Sequence, residues 1–354
     1  MIRWGRGVLT AACLLAAAPT GAQGAEQRAP SPAEPLYVEA GRLLSEGRPD
    51  EAEARLKEAL AIDPRHWPSL CRMGEIQAAA RRFPEAERSL REAVRLNPDN
   101  GRCLSRLAQV LLVGEKIQEA EVHLVRAVEL LPSDEGVLFN LARLYDTTER
   151  PELAIGAYEK YLKVSSDPRR AASAHLRLGR LLMLLQRPAD AAGHLRTALE
   201  AQPDRQEVRS ELAAALSRAS MHDEALAEYE KLISAGSPDA SALANAGAIY
   251  LLKGDLPRAL DLLERATKMN PADFPGRVAL GTALAQSGDH ARAVEVFQAV
   301  TTDDPNNQRA YFLLGQSLLK LGRQEEARQA LERHRSIHES IMRERMSDKA
   351  QGHP

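Results

Sequence analysis

LANAGAIYLLKGDLPRALDLLERATKMNP, residues 243–271, reads as two amphipathic helices joined by a tight turn. Leu243, Gly247 and Tyr250 are spaced four and three apart, which places them on one face of a first helix. Gly254 interrupts the run, and Pro257 stands where the first turn of a second helix tolerates a residue without an N–H. Ala259, Leu263 and Ala266 resume the helical spacing until Pro271 closes the segment, because the residue before a proline disfavours α geometry.

Working outward from Ala259, an alanine recurs at Ala225, Ala191, Ala154, Ala120, Ala86 and Ala52 upstream and at Ala293 and Ala327 downstream. Every interval is 34 residues except the 37 between Ala154 and Ala191. Twelve residues before each alanine is a second small residue: Ala40, Gly74, Ala108, Ala142, Gly179, Ala213, Gly247, Gly281 or Gly315. One turn after it comes a large apolar one: Leu56, Leu90, Leu124, Tyr158, Leu195, Tyr229, Leu263, Phe297 or Leu331. Small residues here predict close helix crossings, where a bulkier side chain would force the axes apart. Gly47, Gly114, Gly254, Gly288 and Gly322 are expected to mark mid-unit turns, and Pro64, Pro98, Pro132, Pro168, Pro203, Pro238, Pro271 and Pro305 to end second helices.

This pattern resembles the tetratricopeptide repeat, in which a large residue, Leu, Gly and Tyr of the first helix precede Ala, an aromatic four later, and Pro. Residues 70–98 repeat it as Leu70, Met73, Gly74, Ala86, Leu90, Ala93 and Pro98. The resemblance covers residues 33–341 and implies an all-α, right-handed superhelical solenoid of about nine tandem helix-turn-helix repeats, at 33–66, 67–100, 101–134, 135–171, 172–205, 206–239, 240–273, 274–307 and 308–341. Departures are Pro35 and Glu39 in the first helix, His175 and Arg209 at large apolar positions, and His334 at a small one. The three extra residues within Val164 to Ala171 are expected to lengthen one connection, either as a plain loop or as a flex point in the groove.

The N-terminus carries another signal. Arg3 and Arg6 precede the apolar run Val8 to Ala18, and small residues follow through Ala22-Gln23-Gly24. That order predicts a secretory signal peptide over 1–24, and the run is too short for a membrane span. A Pro-rich linker, 25–32, and a helical cap with a polar tail, 342–354, flank the repeats. The expected location is therefore periplasmic or secreted, with no transmembrane segment after cleavage. There Cys71 and Cys103 would meet an oxidising environment. Their pairing stays open, but neighbouring helix axes about 8–10 Å apart, against a disulfide limit of about 7 Å between Cα atoms, favour two separate thiols.

Chemistry-bearing motifs are missing from the sequence. His334 and His338 have the spacing of two zinc ligands, but Arg335 stands where a zincin carries its catalytic Glu, so surface histidines are the reading adopted. No catalytic residue, metal site or cofactor is assigned, and an enzyme is not expected. The formal charge of −2 gives no field to attract nucleic acid. In arrays resembling this one, the first helices line a concave groove that holds an extended peptide or partner helix. The register places Arg72, Glu75, Arg102, Arg106, Gln109, Phe139, Asn140, Arg143, Asp146, Arg177 and Arg180 on that face, a net positive set on a chain totalling about −4 once Arg3 and Arg6 leave. Downstream the face turns small and neutral around Asn245 and Ala248. Of these, Arg72, Arg102, Arg106, Asn140, Arg143, Arg177, Arg180 and Asn245 are the candidate ligand-groove residues. The arginines suit an acidic or C-terminal carboxylate segment, or else pair with acids on neighbouring helices. The resulting expectation is an exported protein-binding scaffold or adaptor; the alternative is an accessory subunit of a cell-envelope machine for pilus, secretion or polysaccharide export.

Overall fold

The computed structural model describes residues 31–236 and 238–350. The expected signal segment, most of the linker and the last four residues of the tail lie outside the described residues. Within them are eighteen helices and no strand: α1 (Glu34–Ser45), α2 (Pro49–Ile62), α3 (Trp67–Ala79), α4 (Phe83–Leu96), α5 (Gly101–Val113), α6 (Ile117–Leu130), α7 (Glu135–Thr147), α8 (Pro151–Val164), α9 (Pro168–Leu184), α10 (Pro188–Ala201), α11 (Gln206–Arg218), α12 (His222–Ser234), α13 (Ala240–Leu252), α14 (Leu256–Met269), α15 (Phe274–Gln286), α16 (His290–Asp303), α17 (Gln308–Lys320) and α18 (Gln324–Ala350). The chain divides into two compact units, residues 1–120 and 121–354.

Both units are built alike. Odd-numbered helices pack on the even-numbered helix that follows, as α3 on α4 and α13 on α14, and that helix packs on the next odd one, as α4 on α5 and α14 on α15. The recurring small residues explain how. A Cβ on Gly74, Gly179 or Gly281 would come within 2.5 Å of Leu90, Leu195 or Phe297, so the backbone of the first helix lies directly against the large residue of the second. Ala52, Ala86, Ala120, Ala154, Ala191, Ala225, Ala259, Ala293 and Ala327 are all fully buried, as are the large residues Leu56, Leu90, Tyr158 and Phe297. Burying each such Leu or Phe contributes about 1.5–3 kcal/mol. In the second unit these contacts fuse into one apolar core running from Leu138 to Ala330.

The turn within each hairpin depends on one left-handed residue. It falls five positions before the alanine, at Gly47 (φ 75°), Gly254 (78°), Gly288 (89°) and Gly322 (73°), but also at Arg81 (59°), Glu115 (57°), Glu149 (55°), Gln186 (57°) and Ser220 (61°). Gly114, expected to mark its turn, sits one place early with φ −86°, and Glu115 takes the left-handed conformation instead. Helix starts are fixed by side-chain caps such as Asn100 on the Cys103 amide (2.9 Å) and Asp134 on the Val137 amide (3.1 Å).

Two expectations are corrected here. The extra residues before the fifth hairpin do not lengthen a loop: α9 has 17 residues where α7 and α11 have 13, so they extend the helix. Asp167 caps that extension by accepting from the Arg169 amide at 2.9 Å, and Pro168, expected to end a helix, occupies its first turn. The second correction concerns the cysteines. Cys71 on α3 and Cys103 on α5 form a disulfide, with their Cα atoms 5.8 Å apart. Axis spacing overstates the separation, because the backbone lies about 2.3 Å off each axis and residues on facing surfaces approach more closely than the axes do.

Packing also recruits charge. Arg82, Lys116 and Arg150, each four places before a core alanine, bond Glu53, Glu87 and Glu121, each one place after the preceding one. Glu53 is nearly buried, and the Arg82 guanidinium holds its carboxyl down at about 2.

Candidate functional site

In the first unit, α3 and α5 lie side by side and present Arg72, Glu75, Arg102, Arg106 and Gln109. Between them opens a cleft of about 460 Å³, lined by Glu75, Ala78, Ala79, Phe83, Leu90, Arg106, Gln109, Val110 and Val113. Val113 is 55% exposed, an apolar surface left open to solvent at the cleft wall. Arg106 donates from Nε to Glu75 at 3.1 Å and from Nη1 to Gln109 at 3.3 Å. Arg72 sits over the Tyr37 ring, 5.1 Å from its centroid, and donates to the Tyr37 hydroxyl at 3.1 Å. The disulfide lies one turn from both rim charges, at Cys71 before Glu75 and Cys103 before Arg106, and therefore ties together the two helices that frame the cleft.

In the second unit the same face carries Asn140 and Arg143 on α7, Arg177 and Arg180 on α9 and Asn245 on α13. Arg180 forms a fork on Glu211 with contacts of 2.6–3.1 Å, and Arg177 lies 3.7 Å from Asp146. Asp146 also accepts from the Tyr158 hydroxyl at 3.3 Å; burial, with that carboxylate beside it, pushes the phenol above its usual range. Arg143 is exposed and makes no ion pair among the described residues. Phe139 is spent on packing, edge-on to Tyr158 at 6.0 Å and tilted against Tyr161 at 5.1 Å. Asn245 is exposed and lies near the buried Tyr229, whose phenol burial pushes up to about 12. A second cleft, about 600 Å³, opens between α15 and α17 and is lined by Thr282, Ala285, Gln286, His290, Leu313, Gln316, Ser317, Leu319 and Lys320.

The charge on this face is thus partly answered from within. Arg106, Arg177 and Arg180 each meet an acid on a neighbouring first helix, about 31 residues away in sequence. Sequence reading left open that these arginines pair with acids on neighbouring helices and placed Glu75 and Asp146 on the first-helix face; it missed Glu211 because the downstream stretch was read as small and neutral. It also missed the clefts, since an apolar floor between two helices has no periodic signature of its own.

Among the described residues, no group of three or more His, Cys, Asp or Glu side chains is arranged to hold a metal ion. His334 donates from Nδ1–H to the Gln308 carbonyl at 3.1 Å, and His338 meets the Gln308 side chain at 3.0 Å. No described helix is long and apolar enough to cross a membrane.

Family comparison matches tetratricopeptide repeat models to residues 43–110, 139–205, 210–274 and 278–339. No curated protein matches the chain in sequence. Among solved structures it is similar to YrrB, described as a TPR protein with an unusual peptide-binding site, at 24% identity and TM-score 0.48 over 53% of this chain and 95% of that one. A tetratricopeptide repeat protein from Parabacteroides merdae aligns at 19% identity and TM-score 0.44, over 71% and 98%. PilF of Pseudomonas aeruginosa aligns at 17% identity and TM-score 0.44, over 60% and 95%.

Proposed function

We propose, on the premise that this chain belongs to the tetratricopeptide repeat family, that it is an exported scaffold holding a protein or peptide partner against the faces of its first helices. Tetratricopeptide arrays bind protein or peptide partners and are typically not enzymes. The observation that carries the reading is the cleft between α3 and α5, where an apolar floor of Ala78, Ala79, Val110 and Val113 is rimmed by Glu75, Arg106 and Gln109. Such a site buries one apolar side chain while the rim engages the partner's polar groups. Arg106 and Arg143, the latter without an ion pair among the described residues, give the faces a preference for an acidic or carboxylate-ended segment. Export is supported by the tripartite N-terminus and by the Cys71–Cys103 disulfide, a bond that persists in oxidising compartments.

The test is capture from envelope extract by the wild-type chain and by the Arg106→Glu, Arg143→Glu double variant. Reversing both charges turns attraction of an acidic segment into repulsion and slows its arrival, so capture of the principal partner should fall severalfold while circular dichroism and melting stay near wild type. Unchanged capture by a folded double variant overturns the role of these arginines. Recovery of chain retaining residues 1–24 in the cytoplasmic fraction overturns export.

A further inference from the structure

The fifth hairpin breaks the repeat rule at a point where five others carry Leu. His175 occupies the register position held by Leu36, Leu70, Leu104, Leu138 and Leu243, and the residue it faces on the second helix of its hairpin is His194. Their Nδ1 atoms are 2.9 Å apart and their ring centroids 5.2 Å apart, in a half-buried setting between α9 and α10. One ring donates its Nδ1–H and the other accepts, so the pair holds together only while at most one ring is charged.

We propose that His175 and His194 form a binding site for a borderline divalent transition-metal ion of the Zn2+ class, with the two Nδ1 atoms as its ligands. Imidazole nitrogen is a ligand for ions of this class, whereas Mg2+ prefers oxygen. Zinc–nitrogen bonds of about 2.0–2.1 Å at a tetrahedral angle hold two ligand nitrogens about 3.3 Å apart. From 2.9 Å, the two nitrogens need to separate by about 0.4 Å, with the rings turning so that both lone pairs point at the ion. Metal ligation needs the lone pair of a neutral imidazole, and the surroundings keep it available. Burial, and for His175 the neighbouring ring, lowers the proton affinity of both. Glu159 on α8 and Asp190 one turn before His194 place negative charge near the site, with Arg187 opposing them, though it is bound to Asp190 at 2.6 Å. With no third His, Cys, Asp or Glu ligand assembled among the described residues, the remaining coordination positions go to water at the half-exposed edge.

The experiment is isothermal titration of the tag-free full chain with Zn2+, with Mg2+ as control, alongside thermal melting. One equivalent of Zn2+ should bind and raise the melting temperature, and Mg2+ should do neither. His175→Leu and His194→Ala each install a residue that other repeats hold at the same place, Leu104 and Ala157 for example, so both should fold. Each should abolish binding at this site, with more than a tenfold loss of affinity. A chain carrying His334→Asn and His338→Asn should bind as wild type. Absence of Zn2+ binding by the wild-type chain, unchanged binding by folded His175→Leu, or loss confined to the His334/His338 variant would each overturn the assignment.

Discussion

Gly281→Ala isolates the term that sets helix spacing. A methyl group at Gly281 would stand 2.5 Å from Cε1 and 2.7 Å from Cζ of Phe297, whose ring is completely buried. A flat ring in a filled core cannot swing aside as a leucine end can, so either the ring leaves its rotamer or α15 and α16 separate. Overpacking of this kind costs about 1–3 kcal/mol. Opposing it, alanine is better than glycine inside a helix by about 0.8–1.0 kcal/mol. The net expectation is a loss of about 0–2 kcal/mol, uninformative by itself, so the comparison is with Gly193→Ala. Gly193 lies inside α10 with nothing within 4 Å of the added carbon. That variant keeps the propensity gain alone and should be more stable by about 1 kcal/mol. The difference between the two variants, about 1–3 kcal/mol, is then the overpacking cost. In a stacked array stability is a sum of local terms, so amide exchange should accelerate first in α15 and α16. If Gly281→Ala proves as stabilising as Gly193→Ala, the close approach of helix and ring is not what the small residue is for.

Two further outcomes can be measured directly. Reducing Cys71–Cys103, which spans 32 residues, should destabilise the unit ending at residue 120 by about 3–4 kcal/mol in the chain-entropy model, read by urea unfolding with and without a phosphine reductant; no change would mean the helix contacts alone fix that spacing. Because His175 and His194 have lowered proton affinity when folded, the unfolded chain binds more protons, so their contribution to stability is complete above about pH 6.5 and is lost as pH falls through their depressed folded values; His175→Leu should flatten this part of the melting-versus-pH curve, and an unchanged slope would place the titration elsewhere, Glu159, Asp190 and Arg187 being the other charges acting on His194.

The fold was legible because its strictest constraint is steric and falls on single residues. Ala259 and Gly247 are small for the same reason in every hairpin, and a periodic constraint survives even when the surrounding residues vary. What escaped was set by contact across repeats or by a choice among equivalent solutions. The disulfide at Cys71 and Cys103 needed the distance between two facing helix surfaces, for which axis spacing was too coarse a proxy. The extra residues ahead of His175 could have entered a loop or a helix, and the Asp167 cap with Pro168 in the first turn chose the helix. Left-handed turns at Arg81, Glu115, Glu149, Gln186 and Ser220 were invisible because glycine was taken as their marker, whereas hairpin geometry imposes the conformation on whatever residue stands there.

The site was half legible for a related reason. Register alone placed Arg106 and Glu75 on the first-helix face, and Arg180 without Glu211, but not which of them meet. Those pairs are substantially exposed: Arg106 at 51% with Glu75 at 35%, and Arg180 at 45% with Glu211 at 31%. Exposed pairs are worth only about 0–1 kcal/mol, so a partner carboxylate can replace Glu75 or Glu211 at little cost, and gains little by doing so. Charge on these faces therefore orients a ligand and speeds its arrival more than it holds it. Tight binding has to come from apolar contact in the clefts at Val113 and Leu319, which are 55% and 52% exposed when nothing covers them. Under the proposed function, added salt should slow association while leaving dissociation nearly unchanged, and Val113→Asp should do the reverse.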